Sequence, residues 1–440
     1  MVNTSNIKPR LLVTTDIGGD PDDAQSMIRL LCYSNEFELE GLIATCLESK
    51  FINRGYQPVN VDLILERVEA YGQVFDNLKK HAEGFPSAEY LLGIIKSGTP
   101  SRDKMGEGFD SEASEWIIQC VDKDDPRPLC ISVWGGAIDI AQAVWKVKNT
   151  RSKEEFEQFI SKIRIFSIGK QDVGVDSILS NALNIHLVLT GNSSDPLKRA
   201  YRGFYDGGDD VGELTSSDWI VPNVQTNHGP LGALYPLKTN TFNGINCLKE
   251  GDTISFLYFM SERQGLGNPA HPDWGSWGGR YQNKFANAWM DAEDMVTLSN
   301  GTETSARATV FRWRRELQND FAARMDWCVA DTYTNANHNP IAVVNGKLQR
   351  TVSPGEIVTL DATGSYDPDG DELSYEWIYY KEAGTYGENI DLINSNEQIA
   401  SFVAPAVTSP KILHFILKVK DSGSPILTGY KRVIVTVVGK

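Results

Sequence analysis

At 440 residues the chain exceeds a single compact core, and its 41% hydrophobic and 23% charged composition is that of an ordinary globular protein, excluding a disordered or fibrous chain. A formal net charge of −16 opposes nucleic acid as a partner, because a phosphate backbone rewards clustered Lys and Arg. No run of about 18 apolar residues offers a membrane span.

The opening MVNTSNIKPR lacks the apolar stretch of a secretion signal, so a secreted or periplasmic location is expected only if a leader has been removed ahead of it. From residue 10 onward short apolar runs alternate with amphipathic stretches, the pattern of βα units around a parallel sheet. RLLVTTD (10–16) reads as the first strand, 22–34 as its helix, ELEGLIATC (38–46) as the second strand and 61–81 as a long helix. PLCISVWGG (128–136) is a third strand, 137–149 a third helix and KIRIFSIG (162–169) a fourth strand. In such sheets ligands bind beyond the carboxyl ends of the strands, so the residues just after each strand matter most.

Beyond Asn339-Pro340 the character changes to β-rich runs separated by Gly, Pro, Asp and Ser: 357–367, 373–380, 411–423 and 430–438. This predicts an all-β immunoglobulin-like sandwich over 339–440, after an α/β domain over 1–338. Cys32, Cys46, Cys120, Cys130, Cys247 and Cys328 show neither CxxC pairing nor zinc-ligand spacing, and free, buried thiols are expected.

The stretch Thr14-Thr15-Asp16-Ile17-Gly18-Gly19-Asp20-Pro21-Asp22-Asp23-Ala24 carries the chemistry. Four carboxylates within eight residues, between a strand and a helix, repel one another unless a positive charge sits among them. A hard divalent cation such as Ca²⁺, which takes oxygen ligands, resolves the conflict. A solvated turn with one helix-capping Asp is the alternative reading.

The order of these residues resembles the N-terminal signature of nucleoside hydrolases. The resemblance implies that Asp16 is a metal ligand that also activates the attacking water, that Asp23 is the second metal ligand, and that Asp22 holds sugar hydroxyls. The role of Asp20, in a turn two residues longer than the common form, stays open. Trp134-Gly135-Gly136-Ala137-Ile138-Asp139 is similar to the family segment whose backbone carbonyl ligates calcium, here that of Trp134; a plain strand-to-helix turn would read the same way. Asp252, in Lys249-Glu250-Gly251-Asp252-Thr253, is the candidate last ligand, and Glu250 a candidate pocket residue. An ordinary N-cap would look alike.

Departures accompany the matches. Where the family commonly places an Asn on the sugar, this chain has Glu48 in Ala44-Thr45-Cys46-Leu47-Glu48-Ser49. Where it places a Glu and Asn pair, Lys170-Gln171-Asp172 stands, which makes Gln171 and Asp172 candidate substrate contacts. Over nearly its whole length the chain resembles nucleoside-hydrolase-like proteins carrying a C-terminal sandwich, some described as cellulose-binding, through GEGFDSEASEWII, NHGPLGALYP, EGDTISFLYF, HPDWGSWGGRY and NDFAARMDWCV.

Within these segments, Trp274, Trp277 and Arg280 can offer flat faces and directed hydrogen bonds to a sugar, or can plug a domain interface. His228 is a candidate general acid or a structural hydrogen-bonder. Asp367-Pro368-Asp369-Gly370-Asp371 reads as a solvated turn or a Ca²⁺ loop, and its surroundings resemble polycystic-kidney-disease-like and cadherin-like modules. The expectation is a Ca²⁺-dependent hydrolase of N-glycosidic or related bonds in a sugar-containing small molecule or glycan, or else a catalytically reduced carbohydrate-binding protein on the same fold. The oligomeric state stays open, and phosphoryl transfer is disfavoured because no P-loop is present.

Overall fold

A computed structural model describes residues 7–237 and 247–439; most of the opening segment read for a leader lies outside them. Its centre is an eight-stranded sheet of β1 (Arg10–Thr15), β2 (Glu38–Ala44), β3 (Ile95–Ser97), β4 (Leu129–Val133), β5 (Ile163–Ile168), β6 (His186–Thr190), β7 (Tyr281–Phe285) and β8 (Ala288–Asp291), in the order β3-β2-β1-β4-β5-β6-β8-β7. All pairings are parallel except that of β7 with β8. β1, β2, β4 and β5 stand where the sequence reading puts strands.

The central strands are buried on both faces, as parallel strands covered by helices must be. Successive residues feed opposite cores: Leu11 and Val13 pack with the helices Pro21–Cys32, Val61–His81 and Thr253–Phe259, whereas Leu12 faces Glu112–Asp122 and Ile138–Thr150. All six cysteines are buried, and Cys32, Cys46, Cys120, Cys130 and Cys328 are free thiols. Among the described residues no helix is long and apolar enough to cross a membrane.

After the antiparallel pair β9 (Asp294–Leu298) and β10 (Gly301–Ser305) and the helix Arg314–Trp327, the chain enters a sandwich. One sheet orders β11 (Gln349–Val352), β16 (Thr428–Val437), β15 (Lys411–Lys420) and β13 (Ser374–Tyr379) as β11-β16-β15-β13; the other pairs β12 (Ile357–Asp361) with β14 (Ile399–Val403). Leu360, Phe402, Phe415 and Val435 fill the space between them.

The sandwich also contributes Tyr380, Ile416 and Tyr430 to the large core of the α/β domain, against Trp277 and Trp313. The crossing is anchored by Asn337, whose amide donates to Asp421 at 2.9 Å and to the Pro425 carbonyl at 2.8 Å.

Candidate functional site

The segments that follow β1, β2, β4, β5 and β6, together with residues 249–252, build the site. β1 runs straight into Asp16, and the helix that follows starts at Pro21, whose fixed φ and missing N–H suit a first helical position. Asp22 and Asp23 therefore fall in the first turn, where the helix dipole favours negative charge. The Asp20 side chain makes no capping bond to that turn.

Asp252 immediately precedes the helix Thr253–Phe259. Together Asp16, Asp22, Asp23 and Asp252 line a cavity of about 520 Å³ with Trp134, Glu48 and Gln171.

Asp22, Asp23 and Asp252 each bring a carboxylate oxygen within 4.8 Å of the others. Asp16 shares a hydrogen bond with Asp23, which also accepts from the Thr15 hydroxyl. Asp16, Asp23 and Asp252 are 8%, 4% and 3% exposed, so these charges sit in a nearly dry site. Burial, then the charge of Asp22, pushes the Asp16 carboxyl up to about 7. Burial and mutual repulsion push Asp23 and Asp252 well above the usual carboxylate range. Burial also raises Asp22, less so because Lys249 opposes it.

Asp22 Oδ1 and Asp252 Oδ2 are buried without a hydrogen-bond partner among the described residues. Orphaned acceptors in a crowded, all-oxygen donor set fit a hard divalent cation.

The glycines after β4 have a specific reason. A Cβ on Gly135 would lie 2.7 Å from Asp16, and one on Gly136 would collide with the Asp172 carboxylate. The Trp134 indole is buried and donates to Ser132 and Ser255 at 2.8 and 3.0 Å; its carbonyl accepts from the Gln171 amide. Glu48 lines the cavity and pairs with Lys50 at 2.9 Å.

Several expected site residues lie elsewhere. Asp172 spends its carboxylate on the backbone N–H groups of Ala137, Ile138 and Gly174 at 3.1, 3.0 and 2.8 Å, which makes it a loop clamp rather than a substrate contact. Glu250 is fully buried and paired with Arg29, with Tyr235 and Thr253 also donating to it, so it neutralises an interior guanidinium and does not line the pocket. His228 bonds Asp326 at 3.1 Å and is absent from the cavity wall, which removes it as a general acid there.

Trp277 is buried and donates to the Tyr430 hydroxyl at 3.2 Å, Trp274 stacks on His271 and meets His414 edge-on, and Arg280 pairs with Asp294 at 2.6 Å. This loop plugs the domain seam. In the sandwich, Asp367 accepts from the N–H groups of Asp369 and Asp371, and Asp369 pairs with His338 at 3.0 Å.

Lys249 escaped the sequence reading. Its ammonium sits against Asp20 and lies 3.4 Å from Asp22. Arg199, Tyr201 and Tyr205, from the irregular segment after β6, complete the wall. The only local sign of Lys249 was a basic residue three positions before Asp252.

Two family models match the chain: "Cellulose-binding Sde182, nucleoside hydrolase-like domain" over residues 10–281, and "Cellulose-binding protein Sde0182, C-terminal domain" over 357–437. Among solved structures, a nucleoside hydrolase-related hypothetical protein from Saccharophagus degradans, described as associated with carbohydrate metabolism, is 34% identical over 98% of this chain and 100% of that one, with a TM-score of 0.77. The solution structure of the PKD domain from KIAA 1837 protein is 23% identical over 22% of this chain and 86% of that one, with a TM-score of 0.18. The type III effector protein XopQ complexed with adenosine diphosphate ribose is 12% identical over 74% of this chain and 95% of that one, with a TM-score of 0.35. No curated protein sequence matches the chain.

Proposed function

This chain belongs to the cellulose-binding Sde182 family, with its nucleoside hydrolase-like domain and its C-terminal domain, and from that premise we propose that it is a Ca²⁺-dependent hydrolase of N-glycosidic or related glycosidic bonds in a sugar-containing substrate. The observation that carries this reading is the set Asp22, Asp23 and Asp252, with two orphaned oxygens, beside the buried Asp16.

Asp23, Asp252, Asp16 and the Trp134 carbonyl would hold the ion, with Asp22 at its edge. When bound, Ca²⁺ supplies an anchor for two sugar hydroxyls and acidifies a water. Asp16 accepts the proton of the attacking water on a carboxylate oxygen. Asp22 accepts from a sugar hydroxyl, a charge-assisted bond that also fixes the ring. Low exposure keeps bulk water from competing for these acceptors.

The test is Ca²⁺ titration by calorimetry, combined with assay of free sugar released from a panel of nucleosides and glycosides. Stoichiometric Ca²⁺ binding and Ca²⁺-dependent release are expected. Release that persists undiminished in chelator would sink the reading.

A second reading, a glycan-binding protein with reduced turnover, is favoured by one observation: Lys249 lies 3.4 Å from Asp22 Oδ2, placing a cation against one of the two oxygens that could accept from a sugar hydroxyl. Under it, sugar binds without release and Asp16→Asn leaves affinity intact.

A further inference from the structure

A cavity of about 790 Å³ lies in the seam between the α/β domain and the sandwich, away from the aspartates. Its α/β wall carries Glu36, Asp320, Arg263 and Arg324. Arg324 bonds Glu36 and Asp320, each at 3.0 Å, and Arg263 bonds Glu36 through Nε at 2.9 Å. Two guanidiniums against two carboxylates leave little net field on this wall, so it does not select an ion, and Lys431 of the sandwich adds one cationic side chain to the lining. Hydrogen-bonding capacity nevertheless remains. Gln264 Oε1 is buried with no partner among the described residues, a costly state for an amide oxygen unless a ligand or water satisfies it.

The sandwich wall has the complementary character. Ile341 and Tyr366 pair their backbones in antiparallel fashion, N to O at 2.8 and 3.2 Å, which sets their side chains together at the rim. Tyr366 is 57% exposed, and Leu348 adds a further exposed aliphatic side chain to the same cleft. A flat aromatic and aliphatic rim facing a charge-balanced polar wall matches a pyranose chain, whose C–H faces stack on rings while its hydroxyl edges exchange hydrogen bonds.

We infer that this seam is a binding cleft for a neutral oligosaccharide, separate from the aspartate cavity, with Tyr366 as its stacking platform and Gln264 as a buried acceptor for a sugar hydroxyl. The cleft stands on its own, whether or not the aspartate cavity turns a substrate over.

The experiment is calorimetric titration of the full chain with cellohexaose, xylohexaose and mannohexaose, with hexagalacturonate as the charged comparison. At least one neutral hexasaccharide binds. Tyr366→Ala, at an exposed position that leaves the fold intact, weakens that binding roughly 3- to 10-fold, the worth of one aromatic contact. Gln264→Leu weakens it several-fold while the melting temperature holds or rises, because an unsatisfied buried acceptor has been removed.

Asp252→Asn leaves the affinity unchanged, which separates this site from the aspartate cavity. The inference is overturned if no neutral hexasaccharide binds at millimolar concentration, if binding ignores both cleft variants, or if it disappears in Asp252→Asn. Tighter, salt-sensitive binding of hexagalacturonate would overturn the neutral assignment.

Discussion

The Nζ of Lys249 lies 3.4 Å from a carboxylate oxygen of Asp22, placing a fixed positive charge at the edge of the buried aspartate cluster. A neighbouring ammonium competes with any cation for the same field. Lys249→Met is expected to tighten Ca²⁺ binding roughly tenfold or more, since a unit charge a few ångströms away in a partly dry site is worth more than 1 kcal/mol. Calorimetry at low ionic strength reads this directly, and unchanged or weaker affinity would remove Lys249 as an electrostatic competitor.

Asp252→Asn should act in opposite directions on the apo and loaded protein. Burial and the neighbouring carboxylates raise the Asp252 pKa well above its ordinary value, so replacing the carboxyl by a neutral amide relieves repulsion and stabilises the apo form. The same change removes a ligand, so the rise in melting temperature on adding Ca²⁺, which follows mass action, should largely disappear. Thermal melts with and without Ca²⁺ check both signs.

Asp16 and Asp22 divide proton transfer from recognition. Asp16→Asn is expected to lower turnover by about 10²- to 10⁴-fold, the usual cost of losing a general base, with a smaller effect on sugar affinity. Asp22→Asn should chiefly weaken sugar binding, because an amide cannot reproduce a charge-assisted bond from a hydroxyl. Comparing kcat and KM for the two variants tests the division; equal losses in both parameters for both variants would refute it.

The domain seam makes stability depend on acid. His414 is 2% exposed, and its Nδ1 accepts from Arg432 at 3.0 Å, an arrangement that requires a neutral ring. Burial, then the Arg432 charge, pushes its pKa down to about 3. The unfolded chain binds a proton near pH 6.5 and the folded chain does not, so stability falls as pH drops from 6.5 toward 3, by about 1.4 kcal/mol per unit. Urea denaturation at pH 7 and pH 5 should show a smaller acid loss in His414→Gln than in the wild type.

Trp277→Ala empties a buried indole site between the domains and breaks the bond to Tyr430. A loss of about 3–5 kcal/mol is expected. Sandwich and α/β domain should then melt as two transitions in calorimetry rather than one.

Much of this architecture was legible because the physics behind it is local. β1, β2, β4 and β5 are continuous apolar runs bounded by turn residues, and the aspartates of the first turn are neighbours in sequence. β3 spans three residues and β8 four, too short for periodicity to register, and β8 joins β6 only through a pairing about a hundred positions distant.

Side-chain direction was the larger obstacle. Glu250 and Asp252 are two residues apart, yet one faces Arg29 in the interior and the other the cavity; nothing in a carboxylate's identity says which. Lys249, Tyr201 and Tyr205 reach the site from segments with no regular pattern.

The clamp made by Asp172 has a mechanical consequence. One carboxylate grips the amides of Ala137 and Ile138 behind β4 and that of Gly174 behind β5, while the adjacent Gln171 holds the Trp134 carbonyl. These two loops are thereby welded into a single plate under the cavity. A ligand that tugs on Gln171 pulls on the carbonyl beside Asp16 and on the start of the helix Ile138–Thr150 together, so this part of the floor yields as one piece or not at all.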